Sequence, residues 1–238
     1  MKIIISPAKR FKQFDDFKTE KLLFEDKSKK LIKILKEFSI GDLANELKCN
    51  DELAIKAYYD YKEFDFKKLK NPAIFSYDGL VFKQFTRDDF KDLNYLNENV
   101  YIISALYGLL KPLTGIRDYR LDMNIKKIDL YDFWKDSIYR KIFSKDKLVI
   151  NLASKEYSKL IENYTKNDDR FVTINFKENK NGKHRSVVSY TKIMRGKMLK
   201  YLVNEKIRDV EEIKKIKIDG YIYNPLTSTK NTLNFVRG

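Results

Sequence analysis

Residues 100–124, VYIISALYGLLKPLTGIRDYRLDMN, constrain this chain more than any other stretch. Val100-Tyr101-Ile102-Ile103 is a β-branched and aromatic run, the signature of a buried strand. The pattern then changes. Ser104 to Leu113 reads as a short helical turn, with Gly108 able to take a positive φ and Pro112 unable to continue a helix. Arg117, Arg120 and Asp122 follow, charges set in a segment that is otherwise interior in character. A helix-turn-helix-like hairpin followed by arginines is a shape that can grip phosphate.

The 238 residues allow one large α/β domain with a real core or two small ones, and nothing forces two. The 8 Gly and 4 Pro form no linker, no repeat is visible, and 43% hydrophobic content with 16 Phe and 16 Tyr argues against disorder. MKIIISPAKR is far short of a signal peptide, and no run approaches the length of a membrane span, so no membrane partner is expected. A single cysteine, Cys49, permits no internal disulfide and suits a cytoplasmic protein. With His184 as the one histidine, zinc ribbons, histidine-ligated di-iron sites, thiol–histidine nucleophiles and serine–histidine triads lack their parts. No cofactor and no metal site are expected.

The formal net charge of +15 attracts polyanions, nucleic acid before membrane because no basic amphipathic anchor stands out. Scattered lysines on solvated faces account for part of that excess. Arginine is used sparingly, and its fork holds phosphate in a way lysine cannot. Arg117, Arg120, Arg185 and Arg195 are therefore the positions to inspect.

In chain order, Lys2–Ile5 reads as a short buried strand, and Lys9 lies on the loop leaving its carboxyl end, where ligands of open α/β sheets gather. A solvated loop lysine satisfies the same spacing. From Leu22 to Leu47 the apolar residues fall at helical intervals, with a break at Gly41, and Asp51 caps a third helix. Residues 72–85 read as two extended pieces turning at Asp78-Gly79, after which Thr86 and Asp89 form the capping box of a helix. A helix opens at Asp129, with Trp134 at core spacing. Lys147–Leu152 is another strand, running through Asn151 into a helix capped by Ser154, a junction that offers free N–H groups to an anion or serves as an ordinary structural cap. Residues 170–178 and 183–191 alternate around a turn and form a β-hairpin. Lys192, Arg195 and Lys197 then open a helix with cations where the helix dipole disfavours them, a local conflict of the kind functional sites carry.

Several of these segments carry a resemblance. ISPAK (5–9), ALYGLLKPL (105–113), YRLDM (119–123), LYDFW (130–134), NLASKEY (151–157), RGKM (195–198) and DGY (219–221) occur in this order, and the chain resembles the YaaA family of peroxide stress resistance proteins along nearly its whole length. The resemblance implies a cytoplasmic protein that helps limit free intracellular iron during peroxide stress. It also implies a mixed α/β (α+β) fold over residues 1–238, with a twisted mixed sheet flanked by helices, a helix-hairpin-helix-like element and a basic cleft that binds duplex or branched DNA. Arg10 stands where the family usually has Thr, Asn124 where Gly is common, and Met194 in place of Ala.

Position by position, the hairpin would be Leu106 to Leu113, and Tyr107, Gly108, Leu109, Lys111 and Arg117 would contact DNA independently of sequence. The cleft would gather Lys9, Arg120, Asn151, Ser154 and Arg195 as anion ligands. The alternative is an enzyme acting on a small phosphorylated or nucleotide-like substrate in the same cleft, with Asp122 or Lys192 transferring a proton. A salt bridge between Arg120 and Asp122 would be the purely structural use of that pair. Lys9, Arg120, Asn151, Lys192 and Arg195 converging in an enclosed pocket would favour a small ligand, and their spreading along a groove would favour DNA.

Overall fold

Five short runs of branched and aromatic residues supply a parallel core, and polar-faced helices cover it. The computed structural model describes residues 1–14, 17–144 and 146–238. β1 (Lys2–Ile5) is followed by three covering helices, α1 (Glu25–Leu35), α2 (Ile40–Leu47) and α3 (Asp51–Lys62). Next come β2 (Asn71–Pro72), α4 (Ala73–Ser76), α5 (Leu93–Asn99), β3 (Val100–Ser104), β4 (Gly108–Leu110) and β5 (Gly115–Ile116). Helices α6 (Leu130–Trp134) and α7 (Ser137–Phe143) lead to β6 (Leu148–Asn151), α8 (Lys155–Glu162), β7 (Arg170–Lys180) and β8 (Lys183–Arg185). The chain ends with α9 (Val188–Asn204), α10 (Val210–Lys214), β9 (Lys217–Ile218), β10 (Tyr221–Tyr223) and β11 (Thr232–Arg237).

Among the described residues one sheet of nine strands has the order β4-β3-β1-β6-β7-β11-β10-β9, with β8 hanging on β7. The strands β3, β1, β6, β7 and β11 are parallel to their neighbours, and the outer pairings are antiparallel. Ile3, Ile4, Ile5, Ile102, Ile103, Val149 and Ile150 are all buried, as parallel strands covered on both faces require. The fold is thus mixed α/β.

The order of winding positions the site. The chain lays β3 on one side of β1, then crosses to add β6 on the other. The connections leaving β1 and β6 diverge, which opens a crevice at the carboxyl ends of these two strands.

The expected helical hairpin is a correction. Residues 104–110 turn as a β-hairpin, with Ile102 opposite Leu110, Ile103 opposite Leu109 and Ser104 opposite Gly108. Ser104 Oγ accepts the Tyr107 N–H at 3.0 Å and closes the turn. Gly108 has φ +72°, and a Cβ there would stand 2.5 Å from the Trp134 ring. Trp134 is itself fully buried and donates its indole N–H to the Ala105 carbonyl at 2.9 Å. Leu109 and Leu110 point to opposite faces of a strand, and both faces are covered here, so a strand buries both where one helical turn would expose one.

Smaller departures have local causes. Gly41 lies inside α2, which begins instead at a capping box between Ser39 and Asp42. Asn50, not Asp51, caps α3. Residues 73–76 coil as α4 rather than extend. Thr86 and Asp89 do bond, but the helix starts only after the Asp92 cap. The second arm of the hairpin stops at Arg185 and α9 starts at Val188, which places Lys192 and Arg195 beyond its first turn and out of conflict with the dipole.

Candidate functional site

Two serines clasp the carboxyl ends of β1 and β6. Ser6 Oγ accepts the Ser154 N–H at 2.8 Å and lies 3.2 Å from Ser154 Oγ. Ser154 stands at the N-cap position of α8, yet its hydroxyl makes no capping bond; it faces Ser6 instead. Asn151 turns away from this edge. Only 2% exposed, its amide donates to Thr173 Oγ1 and its carbonyl oxygen accepts the Ala153 N–H, so it stitches β6 to β7 and shapes the turn.

Three further segments complete the walls. The loop after β1 is tied to residues 76–78 by the pairs Lys12 N–H to Ser76 carbonyl and Asp78 N–H to Arg10 carbonyl. Gly79 packs on Ala8 so closely that a Cβ there would come within 2.9 Å of the alanine Cβ. On the far side, a Cβ at Gly196 would stand 2.2 Å from the Val81 carbonyl oxygen, so the missing side chain lets α9 lie directly on this segment. The last wall is residues 119–123, where Tyr119, Leu121 and Met123 are buried and Arg120 and Asp122 between them are not.

Tyr119 anchors that wall through a chain of buried hydroxyls, 2.8 Å from Ser104 Oγ and 2.9 Å from the Tyr77 hydroxyl. Burial pushes the Tyr119 phenol up to about 12 and raises that of Tyr77 as well, so both remain neutral hydrogen-bonding groups. Tyr61 donates to the Arg120 carbonyl from beneath.

The result is one cavity of about 430 Å³ lined by Lys9, Arg120, Asp122, Ser154, Lys192 and Arg195. These residues come from four segments that are remote in sequence. Asn151 is not among the lining residues. Lys9 Nζ pairs with Asp122 Oδ2 at 2.7 Å, so the aspartate's partner is Lys9 rather than Arg120. Among the described residues, neither Arg120 nor Arg195 has a carboxylate partner, and the Nε of each is buried with no hydrogen bond. Burial lowers the pKa of the Arg195 guanidinium, the expected response of a cation held out of water without a counter-charge. Lys192 is exposed at the rim.

The wall also contains groups that the spacing of charges did not single out. Ser6, Asp78, Tyr157 and Glu156 all face the cavity. Glu156, in the first turn of α8, accepts the Met123 N–H at 3.1 Å. Burial raises its pKa, the nearby Asp122 carboxylate adds to the rise, and the Met123 N–H and Lys9 oppose it. An acid in a first helical turn ordinarily serves the dipole, which hides such a residue in a sequence.

The residues expected to touch DNA are placed differently. Tyr107, Gly108 and Leu109 are buried in β4 and its turn and present no surface to a phosphate. The Tyr107 hydroxyl is occupied by the backbone of Arg117. Lys111 pairs with Glu20 at 3.1 Å. Arg117 donates to the Glu63 carbonyl at 3.0 Å and lies over the Phe64 ring at 5.5 Å. Among the described residues, no helix is long and apolar enough to cross a membrane.

Relatives match this chain in sequence along its whole length. A UPF0246 protein of Ligilactobacillus salivarius is 39% identical and one of Clostridioides difficile 37%, each match covering all of both chains. A UPF0246 protein of Finegoldia magna is 41% identical, over 100% of this chain and 98% of its own. The family model described as peroxide stress protein YaaA matches residues 1–226. The motifs at 5–9, 119–123 and 151–157, which read as family features in the sequence, are three of the cavity's walls. On the length of these matches, the chain belongs to the YaaA family of peroxide stress proteins.

Proposed function

We propose that this chain serves the peroxide response, in the cytoplasm, by binding a small oxyanion or a phosphorylated metabolite in the cavity between β1 and β6. The observation that carries this reading is the pair of guanidinium groups, Arg120 and Arg195, whose buried Nε atoms have neither hydrogen-bond partner nor counter-ion among the described residues. A cation withdrawn from water without a partner costs several kcal/mol, roughly, and an anion entering beside it recovers much of that cost. Lys192 at the rim adds attraction.

The test is thermal unfolding with and without inorganic phosphate or pyrophosphate. At about 100 times Kd a ligand adds about 2.7 kcal/mol, which for a chain of this size is a rise in Tm of roughly 5–10 °C. Arg195→Met should remove that rise while leaving the ligand-free Tm unchanged or higher, because the buried charge has gone. A Met variant that unfolds early and still responds to phosphate would sink the reading.

Duplex or branched DNA is the second reading, and the observation favouring it is the net charge of +15. It rests on diffuse surface charge, because the hairpin offers its carbonyls, tyrosine and lysine to the protein itself. Among the described residues no three His, Cys, Asp or Glu side chains group to hold a metal ion. A limit on free iron would run through the cavity's ligand.

A further inference from the structure

We infer that Glu156 is a ligand contact of this cavity, and that the cavity takes up a tetrahedral oxyanion together with one proton, carried on the Glu156 carboxyl as a hydrogen-bond donor to the bound ion. The inference rests on the anion-binding reading above and adds to it the donor and the shape of the ligand.

The geometry begins with how Glu156 is held. One carboxyl oxygen, Oε1, accepts the Met123 N–H at 3.1 Å, which fixes the head group against the 119–123 wall. The other, Oε2, makes no hydrogen bond among the described residues and belongs to a side chain that lines the cavity. The backbone is fixed as well, because the Tyr131 hydroxyl donates to the Glu156 carbonyl at 2.8 Å. Glu156 shares the lining of the cavity with Arg120 and Arg195 and forms an ion pair with neither.

An oxyanion drawn into the cavity by those arginines would come against the Glu156 carboxyl that lines it. Two ionised oxyanions in contact repel, and a proton shared into the contact turns repulsion into a hydrogen bond. Glu156 is prepared for that proton, since burial and the neighbouring Asp122 charge already raise its pKa. Asp122 already has a partner in the cavity, its Oδ2 lying 2.7 Å from Lys9 Nζ. Arg120 on the 119–123 segment, Arg195 on α9 and Glu156 on α8 line the cavity from three walls. That arrangement suits the oxygens of a phosphoryl or sulfuryl group better than a planar carboxylate.

The groups that face Glu156 are Asp122, Lys9, Tyr131 and its neighbour Tyr157. Both tyrosines are pushed upward by burial. The one imidazole, His184, lies on β8 and is not among the lining residues. Between pH 5 and 8 the proton change on binding therefore belongs to Glu156.

Sulfate is the probe, because it does not itself titrate in this range. Isothermal calorimetry of the full chain with sulfate, in two buffers of different ionisation enthalpy, counts the protons taken up. The expected result is uptake approaching one proton per ion, and an affinity that falls about tenfold per pH unit once the free carboxyl is ionised. Glu156→Gln, which keeps a donor and cannot titrate, should bind sulfate with an affinity independent of pH and with no proton uptake. Sulfate binding by the native chain without proton uptake, or a pH slope that survives in Glu156→Gln, would overturn this inference and leave the anion site standing. If neither sulfate nor phosphate binds to the native chain at any pH in the range, both readings fall together.

Discussion

At the scale of single residues, Gly108 and Arg195 show how differently two side-chain choices work in one fold. Gly108 combines a left-handed φ of +72° with the close approach of Trp134, so any side chain is penalised twice. Gly108→Ala should cost about 3 kcal/mol or more, from backbone strain plus displacement of a fully buried ring, and should lower the urea midpoint with a red shift of Trp134 fluorescence. Retention of native stability would show that the turn tolerates another backbone path. Arg195 is the reverse case, a residue whose buried guanidinium costs the empty fold free energy.

Among the elements, the decisive packing is that of α9 on residues 79–84. Gly196 has no side chain where the Val81 carbonyl passes, and a methyl group there must push the helix outward. Gly196→Ala should therefore widen the wall that carries Arg195, lowering Tm by several degrees and weakening phosphate binding by about tenfold or more, read in the same thermal titration. Unaltered binding would place the anion away from α9. The strands β1, β3 and β6 were legible from their branched runs, and so were the β7–β8 hairpin and Trp134 in the core. The turn at Gly108 was not, because a short apolar stretch such as Leu109-Leu110 satisfies helix and strand alike, and only coverage on both faces decides. In the cavity, Lys9, Arg120, Asp122, Ser154, Lys192 and Arg195 stood out as charges or caps out of place. Glu156 did not, since it obeys every local rule for the start of a helix. Asn151 misled for the opposite reason: a polar residue ending a buried strand reads as a ligand, and here it completes the sheet.

For the whole molecule, the net charge of +15 sets a long-range field that any polyanion feels. DNA affinity arising from that field should fall steeply with salt, with a slope set by the number of phosphates neutralised. Lys111→Ala combined with Arg117→Ala should leave the slope unchanged, since one cation is paired with Glu20 and the other is spent on the Glu63 carbonyl and the Phe64 ring. Filter binding across a salt series measures it, and a clearly flatter line for the double variant would restore the hairpin as a DNA contact.

The cavity's walls are residues 6–10, 78–82, 119–122, 152–157 and 192–195, joined by the crossing of the chain over β1. During synthesis these walls emerge one after another, and α9, which supplies Arg195, comes near the end. No shorter nascent chain holds both arginines in place, so an anion would have nothing to recognise until the sheet has closed through β6 and β7 and α9 has docked. A metabolite bound there would act as a selective stabiliser of completed molecules over partly made ones, and its cellular concentration would then set how much finished protein persists.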